Sequence, residues 1–77
     1  MIANFVLIKT RPGQECDVYD ELKYLPEIIE FHQLFGEYDL IIKVKAEDLN
    51  ELSKIVVNKI RHIEGVIDTK TLPGIKF

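Results

Sequence analysis

The spacing of the apolar residues alternates between the two-residue period of β-strands and the three-to-four-residue period of amphipathic helices. Turn signals such as Arg11-Pro12-Gly13 separate these stretches, and Pro26 ends the first helical one. Asp48, with Glu51 three residues later, is typical of the start of a second helix. The pattern predicts strands at 2–10, 28–34, 40–46 and 66–72, and helices at 14–23 and from 49 onward.

The resulting order, β-α-β-β-α-β, is that of the ferredoxin-like fold of the α+β class. The two halves also resemble each other, since residues 7–9 (Leu-Ile-Lys) match residues 41–43 (Ile-Ile-Lys). Right-handed crossovers place both helices on one face of a four-stranded antiparallel sheet, with the first and third strands central. We therefore expect residues 1–77 to form a single domain of this fold. The apolar face of its second helix is predicted to contain Leu49, Leu52, Ile55, Val56, Ile60 and Ile63.

The two central strands carry apolar residues on both of their faces. Alternation places one set toward the helices, namely Val6, Ile8, Leu40, Ile42 and Val44. Phe5, Leu7 and Ile41 then lie on the opposite face, where this fold has no second layer. Because contiguous exposed apolar surface usually marks an interaction site, we predict a homodimer closed through the sheet, like a dimeric α/β-barrel.

Composition narrows the classes of function. Ten basic and thirteen acidic side chains give a net charge of −3, which lacks the basic surface of a nucleic-acid-binding protein. The longest apolar run, residues 5–8, is far shorter than the roughly 20 residues of a membrane span. We therefore expect a cytoplasmic protein that contacts neither nucleic acid nor a membrane. The single Cys16 excludes an internal disulfide, so a second subunit is the remaining support for so small a core.

The residues that could carry catalysis or hold a metal do not form a recognisable set. Cys16 stands among acidic residues on a predicted helix, which disfavours the thiolate, and we expect it to be partly buried. His32 shares a strand face with Glu30, and His62 stands at a helix end. These residues do not form the set of three or four ligands that a metal site needs. We therefore predict no catalytic residue, no metal and no cofactor.

The segment Gly36-Glu37-Tyr38-Asp39 precedes the third predicted strand and admits two interpretations. It can be an ordinary turn, for which Gly36 and Asp39 are suitable. Alternatively, backbone N–H groups around Gly36 can bind a carboxylate, the two acidic side chains can accept from an ammonium group, and Tyr38 offers a flat wall. That combination suits a free amino acid, and the residues alone leave both interpretations open.

Residues 35–44 (FGEYDLIIKV) resemble the Gly-x-Tyr-Asp signature of the effector domain of the Lrp/AsnC family of transcriptional regulators. This domain, called RAM, is similar to essentially the whole chain, including the stretches 46–49, 63–66 and 69–71. The resemblance implies a homodimer closed sheet to sheet, often assembled into rings of dimers, with small amino acid effectors bound at subunit interfaces. Phe35 departs from the family, which commonly has Thr before the Gly, and this can reshape the pocket.

The resemblance also implies which residues bind the ligand: Gly36, Glu37, Tyr38 and Asp39, together with Thr69 and Thr71 of the last strand. We expect no DNA-binding helix-turn-helix before the first strand, so the chain resembles the stand-alone RAM proteins of archaea and bacteria. We expect it to sense an amino acid and to change its own assembly or that of a full-length Lrp/AsnC regulator. We also expect the tail, residues 75–77, to pack across a neighbouring subunit.

Two other functions remain open at this point. Paired ferredoxin-like sheets also occur in small dimeric α/β-barrel enzymes of the monooxygenase or isomerase type, which would need a polar cavity within one subunit around His32. A purely structural subunit with a non-functional pocket is the other alternative, and Phe35 makes it conceivable.

Overall fold

The computed structural model describes residues 2–75, and the burial of side chains 4–72. The elements follow the predicted order: strand β1 (Ile2–Thr10), helix α1 (Glu15–Leu22), strands β2 (Ile28–Gln33) and β3 (Leu40–Ala46), helix α2 (Leu49–Ile55) with a π-helical turn (Val56–Ile60), and strand β4 (Val66–Ile75). The C-terminal Lys76 and Phe77, for which packing across a neighbouring subunit is predicted, lie outside the described residues.

The four strands form one antiparallel sheet in the order β2-β3-β1-β4, so β1 and β3 are central as predicted. Their register sets Val6 opposite Ile42 and Leu7 opposite Ile41. The α+β, ferredoxin-like fold class is therefore confirmed.

The last strand extends beyond the predicted end at 72 and continues through Pro73 and Gly74 to Ile75. Its pairing shifts between Phe5↔Leu72 and Ala3↔Ile75, which inserts one extra residue on the β4 side. Proline is tolerated there because β4 is an edge strand, and a bulge leaves a backbone position that need not donate to the ladder. The turn signal of Pro-Gly thus marks a bulge rather than the end of the strand.

The hydrophobic core lies between the sheet and the two helices. α1 contributes Val18 and Leu22, and the ring of Tyr19 lies 5.2 Å from that of Phe31 on β2. The predicted inward set of the sheet is buried, together with Leu52, Ile55, Val56 and Ile60 from the second helical segment. The prediction that Cys16 is partly buried is wrong: it is exposed because α1 turns Val18 and Leu22 inward instead. Leu49, at the start of the predicted apolar face, is 60% exposed because it begins α2 directly after the N-cap.

The second helical segment begins as the sequence indicates. The Asp48 side chain accepts a hydrogen bond from the Glu51 N–H at 2.8 Å, which satisfies one of the free donors of the first turn. The segment ends in a π-helical turn, where the Arg61 N–H donates to the Val56 carbonyl at 2.8 Å. Val56 and Ile60 are both buried, so this turn carries the apolar face of α2 toward β4.

Gly65 holds the connection to β4 against the start of α1. It is buried, with φ +101°, and a Cβ at this position would lie 2.9 Å from Val18 Cγ2 and 3.1 Å from Gln14 Cβ. Its carbonyl accepts from the Arg11 N–H at 2.7 Å. The close approach fixes α1 beside the end of the sheet where β1 stops and β3 starts.

The face of the sheet away from the helices carries a mixed surface. Phe5, Leu7 and Ile41 lie there as predicted, each partly exposed, and Leu72 extends the apolar strip beside Phe5. Charged residues flank the strip: Glu30 forms ion pairs with Lys43 at 3.2 Å and His32 at 3.6 Å. Pairing of this face with a second copy stays a prediction.

Candidate functional site

The segment between β2 and β3 is a short loop, residues 34–39, that is tied to both the hairpin and β1. The Leu34 N–H donates to the Asp39 carbonyl at 2.8 Å and closes the loop. The Asp39 N–H donates to the Ile8 carbonyl at 2.9 Å, which attaches the loop to the central strand. The loop is therefore an ordered extension of the sheet and not a loose connection.

The Asp39 carboxylate continues this attachment. Its Oδ2 accepts from the N–H of Thr10 at 2.8 Å and from the Thr10 hydroxyl at 3.1 Å. Thr10 is 4% exposed, so these bonds satisfy groups that water barely reaches. The other oxygen, Oδ1, has no hydrogen-bond partner among residues 2–75. One oxygen of Asp39 thus holds Thr10 in place, while the other is available to accept a hydrogen bond from a ligand.

The tip of the loop is open. Gly36 has φ +134°, a conformation that L side chains rarely adopt, and no atom lies within 4 Å of a Cβ built on it. The backbone N–H groups of Phe35, Gly36, Glu37 and Tyr38 donate to no acceptor within the described part of the chain. The Phe35 side chain is fully exposed. The tip therefore offers several backbone donors and an unpacked aromatic ring.

Tyr38 lies close enough to the start of β4 to feel the charge of Asp68. Its side chain is partly buried, and burial raises the pKa of the Tyr38 phenol, with further increases from the negative charges of Asp68 and Glu37. Asp68 pairs with Lys9 across the β1–β4 ladder. Tyr38 therefore lies within electrostatic reach of the edge strand.

A cleft of about 250 Å³ lies between the loop and the first turn of α1. It is lined by Glu15, Gln33, Leu34, Phe35, Asp39 and Leu40. Two carboxylates and one amide face the apolar side chains of Leu34, Phe35 and Leu40. An apolar cleft with a few polar groups at its margin is the usual form of a small-ligand site.

The predicted ligand residues meet this cleft to different degrees. Asp39 lines it, and Gly36, Glu37 and Tyr38 belong to the same loop without lining it. Thr69 and Thr71 lie on β4 beside Ile8 and Val6, across β1 from the cleft, and do not line it. The ligand role of these residues stays a prediction.

Sequence reasoning missed Glu15 and Gln33, which the fold brings to the cleft from α1 and β2. The one available signal was the position of Glu15 in the first turn after Arg11-Pro12-Gly13, since the end of β1 and the start of β3 must be neighbours. The register of that pair was the missing information.

The surroundings of His32 do not match the enzyme alternative. Its side chain is 61% exposed on the open sheet face, where it pairs with Glu30, and is not enclosed within the subunit. Within residues 2–75 no group of three or more His, Cys, Asp or Glu residues is arranged to hold a metal ion. In the same part of the chain, no helix is long and apolar enough to cross a membrane.

Comparison with known proteins gives a consistent set of relatives. An HTH-type transcriptional regulator of Pyrococcus furiosus is 37% identical over 71 residues, which are 88% of this chain and 47% of that protein. A protein of Thermus thermophilus has a solved structure with 34% identity and a TM-score of 0.91, covering 100% of this chain and 96% of that one. Escherichia coli AsnC is 25% identical with a TM-score of 0.91, over 99% of this chain and 52% of that one.

This chain spans about half the length of the curated relatives it matches. Those relatives are transcriptional regulators rather than enzymes, so the prediction that the chain is not an enzyme is confirmed and the enzyme alternative is set aside. The family model described as the Lrp/AsnC ligand binding domain matches residues 4–76. The chain therefore belongs to the Lrp/AsnC ligand-binding domain family.

Proposed function

We propose that this chain is a regulatory domain that binds a small amino acid in the cleft between the 34–39 loop and α1, and that occupancy changes its assembly. The observation that supports this most strongly is a set of backbone donors and a carboxylate oxygen, all without a partner among residues 2–75, beside an apolar cleft. The chemistry is that of a free amino acid, which carries one anionic and one cationic group on a single carbon.

Each part of the ligand has a partner of suitable charge. The carboxylate would extend from the cleft past Phe35 to the tip of the loop, where the N–H groups of residues 35–38 donate to no acceptor within residues 2–75. Successive backbone donors of this kind form an anion-binding concavity. The α-ammonium group would donate to Oδ1 of Asp39, whose Oδ2 stays on Thr10. The ligand side chain would contact Leu34 and Leu40 along the wall of the cleft.

The proposed link to regulation is assembly. The strip formed by Phe5, Leu7 and Ile41 would pair with the same strip of a second copy, and the exposed Phe35 would meet a neighbouring dimer in a larger ring. A ligand that binds one assembly more tightly raises its population by mass action. The domain would act in the cytoplasm, on its own assembly or within the ring of a full-length Lrp/AsnC regulator.

The test is a panel of the twenty amino acids, read out by thermal melting and by light-scattering mass during size-exclusion chromatography. We expect one or a few of them to raise the melting temperature and change the mass. In Asp39→Asn, which keeps an oxygen for Thr10 but removes the charge, the ligand-induced shift should fall while the ligand-free protein stays folded. Asp17→Asn is the matched control, because Asp17 is exposed on α1 and does not line the cleft. A panel without any response would refute the proposal.

A further inference from the structure

The charges that line the cleft are all of one sign. We propose that Glu15 makes the cleft select amino acids with a second positive charge on the side chain, of the lysine, ornithine and arginine class. This inference rests on the proposed function and specifies its ligand. Of the six residues that line the cleft, Glu15 and Asp39 are charged and both are acidic.

In the described part of the chain, no basic side chain near the cleft neutralises Glu15. Arg11, which lies close in the chain, directs its Nη1 to the Gln14 side-chain oxygen at 3.2 Å. Within residues 2–75, no Lys, Arg or His lies within salt-bridge distance of Glu15. An amino acid with a neutral side chain would bind beside this carboxylate without meeting its charge, and an acidic one would be repelled by it.

Glu15 is also free to turn toward a ligand. It is the first residue of α1 and is exposed. Within residues 2–75 its side chain makes one hydrogen bond, a long one of 3.3 Å that Oε1 accepts from the Gly13 N–H. Oε2 has no partner in the part of the chain that the structure describes. A cation in the cleft can therefore pair with Glu15 without displacing a strong bond.

The shape of the cleft suits an aliphatic chain that ends in a cation. Leu34 and Leu40 line it along with Glu15 and Asp39, so methylene groups would contact apolar surface while each charged end finds a carboxylate. Its volume of about 250 Å³ lies below the roughly 300–1,000 Å³ typical of sites for drug-sized ligands. A single amino acid with an unbranched side chain is of the right size class.

The matched ligands are L-lysine and L-norleucine, which share an unbranched aliphatic side chain but differ in the terminal ammonium group. Isothermal titration calorimetry on the full chain should give a dissociation constant for lysine on the order of tenfold below that for norleucine, the effect expected of one partly shielded charge pair. In Glu15→Gln the two constants should converge, through weaker lysine binding. Glu21→Gln, an exposed α1 position that does not line the cleft, should keep the preference.

The outcomes separate this inference from the function on which it rests. Equal binding of lysine and norleucine by the unaltered protein, with both weakened in Asp39→Asn, would overturn the role of Glu15 and leave the amino acid site in place. A response confined to neutral or acidic members of the panel of twenty would do the same. Absence of binding by all twenty would overturn the proposed function and the inference with it. Added salt should reduce the lysine preference, because exposed charge pairs are screened.

Discussion

Asp39 and Thr10, 29 residues apart in the chain, are joined by two hydrogen bonds to a single carboxylate oxygen, at 2.8 and 3.1 Å. Asp39→Ala should therefore destabilise the fold by about 1–3 kcal/mol, because it leaves buried donors of Thr10 without a partner. Urea denaturation followed by circular dichroism measures this change. Asp39→Asn should cost less, since its amide oxygen can accept the same bonds.

The double variant Thr10→Val with Asp39→Ala tests whether the effect passes through this pair. Thr10→Val removes the hydroxyl and keeps the backbone N–H, so the two changes should be less than additive by roughly 0.5 kcal/mol or more. If the two losses of stability are strictly additive, the Asp39 carboxylate stabilises the fold through contacts other than the Thr10 hydroxyl. A ligand test on Asp39→Ala must compare melting shifts rather than melting temperatures, because the ligand-free protein is itself weakened.

Gly65 supplies a second test of the packing around the site. Gly65→Ala should destabilise by roughly 2–5 kcal/mol, because it combines a left-handed backbone with a Cβ placed 2.9 Å from Val18 Cγ2. Gly13→Ala is the control: Gly13 also has a positive φ, +87°, but no atom lies within 4 Å of the added Cβ. Its cost should be limited to about 1–2 kcal/mol. Equal losses in the two variants, measured by urea denaturation, would show that contact with Val18 is unimportant.

The fold was predictable from sequence because its causes are local or periodic. The alternation along β1 and β3 fixed their inward and outward sides, and the Asp48 cap located the start of α2. The π-helical turn at Val56–Ile60 had no such signal, since its residues continue the helical spacing of α2. The bulge in β4 could not be predicted for a similar reason, because a Pro-Gly pair is as typical of the end of a strand as of a bulge within one.

The candidate site was only partly predictable because it depends on tertiary register. The sequence placed Gly36 and Asp39 in one loop, but the bond to Thr10 follows from how β1 and β3 align. Glu15 lies beside that loop only because α1 packs over the end of the sheet. The close contact of Gly65 with Val18 and Gln14 holds α1 in that position. Neither alignment leaves a signature within a short window of sequence.

The ion pair between Glu27 and Lys59 should make the stability of the fold depend on pH in the acid range. The hydrogen bond from the Lys59 ammonium lowers the pKa of the Glu27 carboxyl, against the opposing effect of burial. A carboxyl whose pKa is lowered in the folded state adds stability above its ordinary pKa, and this is lost as the pH falls through the lowered value. The stability difference between the unaltered protein and Lys59→Met should therefore be largest near neutral pH and shrink below about pH 4.

Urea denaturation at a series of pH values measures the difference. Lys54→Met is the control, because Lys54 is exposed on α2 and has no acidic partner within residues 2–75. A loss in Lys59→Met that stays constant from neutral to acidic pH would mean that packing of the Lys59 side chain, and not its charge, stabilises this contact.

Tyr38 reports on the electrostatics of the loop. Burial, then Asp68, then Glu37 raise the pKa of its phenol, so Asp68→Asn should lower that pKa toward the ordinary value without restoring it fully. Ultraviolet titration of tyrosinate measures this, and Tyr38→Phe assigns the step among the three tyrosines of the chain. Because the folded state holds the proton more tightly, stability should fall as the pH rises above about 10.

Asp20→Asn is the matched control for this titration, because Asp20 lies on α1 and pairs with Lys23, away from the loop. A Tyr38 step that moves equally in Asp20→Asn and Asp68→Asn would indicate a general effect of net charge. If the pKa of Tyr38 changes in neither variant, Asp68 does not raise it and burial is its main cause. The phenol would then lie farther from Asp68 on β4 than the structure indicates.

Leu7 and Ile41 test whether a second copy covers the open sheet face. They are directly paired across β1 and β3, and both are partly exposed in the single chain. If the strip is an interface, Leu7→Glu would bury an unpaired carboxylate, at a cost of several kcal/mol, and should reduce the light-scattering mass to that of one chain. Val57→Glu makes the same change at a 50% exposed position on the helical layer and should leave the mass unchanged. An assembly that survives both Leu7→Glu and Ile41→Glu would have to be built from other surfaces, and Phe35, fully exposed at the loop tip, would be the next residue to change.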